Sequence, residues 1–237
     1  MNYNFDSLEN FEKSLEEIDF LIKKVQKETE KELYQDNIYL KSALLLLVSK
    51  FEAFLENSIL DYISEINNLK LTNDKIPTAL KINHVSNFFD EKKITEKMKH
   101  KHKYNEVCEE LGELSKLFAT SNNFSSIKIS NKFNYGKHGG DEVEKLFEKI
   151  GLDEIFNKIT IFNDVKTMDT MDNESEKQKV DFKGEINSIT LIRNNILHQD
   201  TDRMSFTIKE LTGYRNHFKQ FSAQLIEVLQ KMLLDIR

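Results

Sequence analysis

Apolar residues recur at helical spacing over most of this chain. Leu8, Phe11, Leu15, Ile18, Ile22 and Val25 follow a 3-4-3-4-3 rhythm, with Lys and Glu on the other faces. That pattern predicts one apolar stripe on a helix from about Ser7 to Leu33. A second helix is predicted from about Asp36 to Asn68. Its centre, Ala43 to Val48, is apolar all round and is expected in the core, and Phe51, Phe54, Leu55, Ile59, Tyr62 and Ile66 continue it. The last helix carries Leu211, Tyr214, Phe218, Phe221, Leu225, Val228 and Met232 at the same spacing, and Ile186, Ile189, Ile192 and Ile196 mark the helix before it, from Gly184.

The middle of the chain is less regular. Thr72 to Pro77 reads as a connection, Asn83 to Phe89 as a short helix, and Tyr104, Val107, Leu111, Leu114 and Phe118 as one amphipathic face. Ser121 to Gly140 is rich in Ser, Asn and Gly, with Ile127, Ile129 and Phe133 alternating, so a loop with room for a short strand is expected. Asp141 with Glu144 has the form of a capping box and Gly151 suits a C-terminal cap, which delimits a short helix from Glu142 to Ile150. Asp164 to Asp181 has few apolar anchors and reads as a loop or a weak helix. The expected architecture is an all-α antiparallel bundle: one domain over residues 1–237, with an irregular insertion over approximately 119–181.

Composition agrees with long helices, because 237 residues contain one proline and seven glycines. A single cysteine, Cys108, excludes an internal disulfide framework and any zinc site built on several cysteines. No apolar run approaches the ~18–20 residues of a membrane span, and the start lacks a secretory signal, so a cytoplasmic protein with no membrane partner is expected. The net charge of −6 argues against coating nucleic acid over the whole surface but leaves room for a local basic groove.

Chemistry concentrates in Leu191-Ile192-Arg193-Asn194-Asn195-Ile196-Leu197-His198. Asn194 and His198, four apart on a helix, share a face. Arg193 sits about 140° from His198 around an ideal helix, and its long side chain can swing back. Two readings are open from these residues alone: a catalytic pair, or a surface ion pair beside a histidine that the helix dipole favours at a C-terminus.

The motif resembles the R-N-x-x-x-H form of RxxxxH in the HEPN superfamily of helical domains, many of which are metal-independent ribonucleases. Leu46-Leu47-Val48-Ser49-Lys50-Phe51-Glu52-Ala53-Phe54-Leu55-Glu56 resembles the buried second helix of RiboL-PSP-type members. Tyr135-Gly136-Lys137-His138-Gly139-Gly140 and Val143 to Leu152 resemble their glycine loop and short helix. The motif also comes just before the last long helix, as it does there. One departure is Leu197-His198-Gln199 where many members have Ala-His-Gly; the larger side chains narrow any pocket.

The resemblance implies a stand-alone endoribonuclease, a toxin or phage-defence effector. It implies a homodimer whose cleft holds two copies of the motif, with RNA as substrate and an antitoxin or regulatory protein as a further partner. No metal or cofactor is expected. RNA carries its own nucleophile, the 2′-hydroxyl, so cleavage requires proton transfer and charge stabilisation only. His198 is assigned to proton transfer or alignment of that hydroxyl, Arg193 to the scissile phosphate and Asn194 to positioning. Glu52 needs a partner if buried and ionised; holding Arg193 or His198, a salt bridge between helices and simple exposure all stay open. The alternative to an enzyme is a non-catalytic module of the same fold that binds a protein or a nucleotide.

Other candidates are weaker. Lys97, Lys99, Lys101 and Lys103 alternate through the strongest basic run and either track an RNA backbone or form a solvated face. The glycines of 136–140 lack the pattern of a phosphate loop and read as a turn. Arg215 and His217 read as surface residues, with lining of the RNA approach as the lesser alternative, and His84 and His138 have no identifiable partner.

Overall fold

A computed structural model describes residues 3–27, 33–116, 118, 126–133, 139–165, 176–198 and 206–237. The described chain is helical almost throughout: α1 (Asp6–Lys27), α2 (Leu33–Asn68), α3 (Thr78–Glu91), α4 (Ile94–Lys97), α5 (Tyr104–Lys116), α6 (Gly140–Glu148), α7 (Ile155–Lys158), α8 (Phe182–His198) and α9 (Ile208–Ile236). Between α7 and α8 runs a two-stranded antiparallel sheet, β1 (Phe162–Val165) and β2 (Glu176–Lys179), with Phe162 opposite Lys179. The all-α expectation holds. The weak helix or loop expected over 164–181 is corrected at its ends, which pair as strands.

The stripes predicted from spacing form the core. Phe11, Leu15, Ile18, Ile22 and Val25 of α1 are buried against α2, as are Leu211, Phe218, Phe221 and Leu225 of α9. At the centre of α2, Ala43, Leu44, Leu47 and Val48 are buried, but Leu45 and Leu46 are only half-buried. Leu46 packs partly against the core and lines a surface groove with Phe20 and Leu21 of α1. The main packing element is a group of aromatic rings. Phe51 stacks on Phe218 at 4.2 Å, Phe182 on Phe221 at 4.8 Å and Phe11 on Phe54 at 5.1 Å, joining α1, α2, α8 and α9.

Element ends differ from expectation in instructive ways. α2 opens at Leu33 rather than Asp36, and residues 28–32 lie outside the described chain. α3 is longer than expected at its start, directly after Pro77, whose fixed φ suits a helix entry. Asp141 and Glu144 form no capping box; both carboxylates instead take the ammonium of Lys183 on α8, at 2.8 and 2.6 Å. α6 starts at Gly140, and only glycines let it approach α8 so closely. A Cβ on Gly140 would lie 2.5 Å from Lys183 Cγ, and one on Gly139 2.7 Å from Asn187 Oδ1. Gly151, at φ +84°, closes α6 as expected, with the Leu152 amide donating to the Phe147 carbonyl at 3.1 Å.

Residues 126–133 alternate in burial as a strand would, with Ile127, Ile129, Asn131 and Phe133 inside. They form no strand. Side chains take the place of a ladder: Asn67 both donates to and accepts from the Ile127 backbone, His84 Nδ1 accepts from the Lys128 amide at 2.9 Å, and Glu56 accepts from the Phe133 amide at 3.2 Å. His84 thus has a partner that sequence reasoning missed, and its burial pushes its pKa below the ordinary histidine value.

Candidate functional site

α8 carries the Arg-Asn-His motif, and its first residues explain why a helix forms there. Asp181 Oδ1 accepts the Gly184 amide at 3.0 Å, satisfying one free donor of the opening turn. The first half of α8 is tied to the body. Phe182, Ile186 and Ile189 are buried, Lys183 pairs with α6, and Asn187 Oδ1 accepts the Gly140 amide at 2.8 Å. The second half, residues 191–198, is half-buried to exposed throughout.

Within that half, Arg193 is half-buried and its Nη1 donates to Asn194 Oδ1 at 3.3 Å. Asn194 therefore takes one of the five guanidinium donors, and the planar fork is of the kind that binds an anion through two donors at once. His198 is the last residue of α8 and is exposed. Ile192 and Ile196 pack on the core. Leu197 (50% exposed) and Leu191 (63% exposed) point outward. Leu191, Asn194, Asn195 and His198 follow i, i+3, i+4, i+7 spacing, so one uncharged face of α8 ends on the histidine. Leu191 was not singled out from sequence, although that spacing was available to find it.

Glu52 lies where α2 meets α8, with Ile186, Ile189 and Thr190 around the same small cavity, and one of its carboxylate oxygens is out of contact with solvent. Glu52 is half-buried, and along α8 this cavity reaches Thr190, about one turn before Arg193.

The basic run is placed elsewhere. α4 and α5 pack on each other, and α4 on α3. Lys97 is spent on Glu106 and on Glu110 (3.1 Å), hydrogen bonds that hold its pKa above the ordinary lysine value, Glu106 first. Of the four lysines proposed to track RNA, Lys99 and Lys101 are exposed and Lys103 is half-buried. The charge of Lys97 is thus engaged within the fold. Lys137, His138 and Gln199 lie outside the described residues.

Two residues read as surface are tied into the fold, Arg215 half-buried and His217 buried. Arg215 makes a two-pronged ion pair with Asp19 on α1, at 3.0 and 2.7 Å. His217 is buried (3% exposed) between Glu185 and Asn163. No local signal marks that cluster, whose members lie far apart in sequence.

Among the described residues, no group of three or more His, Cys, Asp or Glu side chains is arranged to hold a metal ion, and no helix is long and apolar enough to cross a membrane. An all-α bundle with Arg-Asn-x-x-x-His closing the helix before the last is the design of a HEPN domain. The chain belongs to the RiboL-PSP-HEPN family, whose model matches residues 9–231. Searches of curated proteins and of solved structures returned no match.

Proposed function

We propose that this chain is a metal-independent endoribonuclease of the HEPN type, acting as a homodimer in a toxin or phage-defence role. The observation that carries the reading is the motif's setting: in a member of this family, His198 is exposed at the end of α8, and Arg193 hydrogen-bonds Asn194, which shares a helix face with His198. Arg193 binds the scissile phosphate and offsets the charge that builds on the phosphorane. His198 takes the proton of the 2′-hydroxyl, or aligns that hydroxyl while water takes the proton; the 2′-oxygen attacks phosphorus, the P–O5′ bond breaks, and the departing 5′-oxygen takes up a proton from water. The products are a 2′,3′-cyclic phosphate and a 5′-hydroxyl. Glu52 supports the site from the buried side of α8. Lys99, Lys101 and Lys103 add long-range attraction for RNA at most.

A defined oligonucleotide tests the chemistry. Cleavage should leave cyclic phosphate ends, and a single 2′-deoxy substitution at the cut nucleotide should stop it. Cleavage that persists at the deoxy nucleotide would show that the 2′-hydroxyl is not the nucleophile.

The outward leucines of α8 support the dimer in this reading. Two copies that meet on Leu191 and Leu197 bring two motifs together, and a two-fold interface doubles any substitution. Leu191→Glu and Leu197→Glu each place two carboxylates in the interface and should yield folded monomers with little cleavage. Light scattering with circular dichroism checks this. A folded monomer as active as wild type would refute the composite site. The same apolar residues also suit the alternative, a non-catalytic module that docks a partner protein.

A further inference from the structure

α8 is anchored in its first half and carries the motif on its more exposed second half. A helix is stiff, so a small tilt at the anchors becomes a displacement at Arg193 and His198. Glu185 precedes Arg193 by about 12 Å along the axis at 1.5 Å per residue. The anchors are unequal. Lys183 reaches Asp141 and Glu144, but Asp141 is largely exposed, and exposed ion pairs contribute little. Glu185 is different. Its side chain is 13% exposed, and both carboxylate oxygens lie against Nδ1 of His217 on α9, at 2.8 and 2.9 Å. A carboxylate only accepts, so Nδ1 donates to it.

The other face of the same imidazole meets β1: Nε2 lies 2.5 Å from Asn163 Oδ1. His217 begins a row on α9 that continues with Gln220 and Gln224. Each glutamine amide both gives and takes a backbone hydrogen bond, Gln220 with Phe162 and Gln224 with Thr160. These three side chains seat the first strand of the hairpin on α9. The second strand runs through Val180 and Asp181 straight into α8.

Resting on the ribonuclease reading above, we propose that Glu185 and His217 are positioning residues for RNA cleavage, His217 coupling the seating of the β1–β2 hairpin on α9 to the placement of Arg193 and His198. Neither residue touches RNA. What shifts β1 on α9 also loosens this one anchor of the motif helix.

Two substitutions of His217 separate its two links. Asparagine places an amide nitrogen near the Nδ1 position, so His217→Asn keeps the donor to Glu185 and gives up Asn163. Glutamine reaches the Nε2 position, so His217→Gln keeps Asn163 and gives up Glu185. We expect His217→Gln to lower kcat per folded protein about tenfold or more, since a misplacement near 1 Å can cost ~10²-fold. His217→Asn should stay within a few-fold of wild type. Hydrogen exchange of the amides of residues 191–198 should quicken in the glutamine variant and not in the asparagine variant, with both equally helical by circular dichroism. A purely structural histidine would lower the melting temperature in both variants and leave kcat per folded protein unchanged in both; that result overturns the proposal. If His217→Gln does not fold, Glu185→Ala against Glu185→Gln, which keeps an acceptor, applies the same criterion. If wild-type protein leaves RNA intact, the ribonuclease reading fails by itself. Exchange then decides the brace: unchanged protection of 191–198 in His217→Gln overturns it, and faster exchange there alone sustains it.

Discussion

Replacing His198 with alanine is expected to lower RNA cleavage by at least ~10²-fold, the usual contribution of a positioned acid or base, and to leave the helical content unchanged. His198 is exposed at the end of α8, so its removal opens no cavity, and among the described residues it leaves no buried partner behind. Arg193→Ala should cost at least as much through loss of phosphate charge stabilisation, worth ~10²–10³-fold for one such donor elsewhere. Arg193 is half-buried, and its one described side-chain hydrogen bond is to its neighbour Asn194, so the fold should tolerate the change. Lysine at 193 keeps the charge but loses the fork and should restore little. Single-turnover rates on a defined RNA, with circular dichroism beside them, check both variants. Full activity in a folded His198→Ala protein would remove the proposed chemistry.

The largest effect on stability is expected at Phe51. Its ring meets Phe218 at 4.2 Å, Phe221 at 5.7 Å and Phe11 at 5.9 Å, and it is 3% exposed. Phe51→Ala should cost about 3–5 kcal/mol, the range for large-to-small aromatic changes in a core, because four helices converge there and none can close the gap alone. That is a large part of the ~5–15 kcal/mol that holds a typical fold. Phe20→Ala makes the contrast. Phe20 is 60% exposed under the Lys24 ammonium, and its loss should cost about 0.5–1 kcal/mol at most. Urea denaturation separates the two by midpoint at constant slope. Equal midpoints would mean that the aromatic group is not the centre of the core.

The long helices were legible because each buries one continuous stripe, and stripes such as Phe11–Leu15–Ile18–Ile22 and Phe218–Phe221–Leu225 are written in local spacing. The motif was legible for the same reason, since Arg193, Asn194 and His198 belong to one helix. What escaped is held by side chains distant in sequence. The β1 segment has no apolar alternation of its own; Gln220 and Gln224, some sixty residues later, define it. His217 looked like a surface residue because nothing near it in the chain announces Glu185 or Asn163. The 126–133 segment showed its alternation, yet Asn67, His84 and Glu56 supply the pairing that a second strand would have supplied. Asp141 and Glu144 fit a local capping rule, but Lys183 is close enough to take both.

Purified protein incubated with total RNA in EDTA, beside His198→Ala prepared identically, tests the central claim most directly. The account predicts that wild-type protein degrades the RNA with divalent metal removed and that the variant does not. Intact RNA after prolonged exposure to a clean, folded wild-type dimer would contradict it, as would cleavage that EDTA abolishes and one added metal restores.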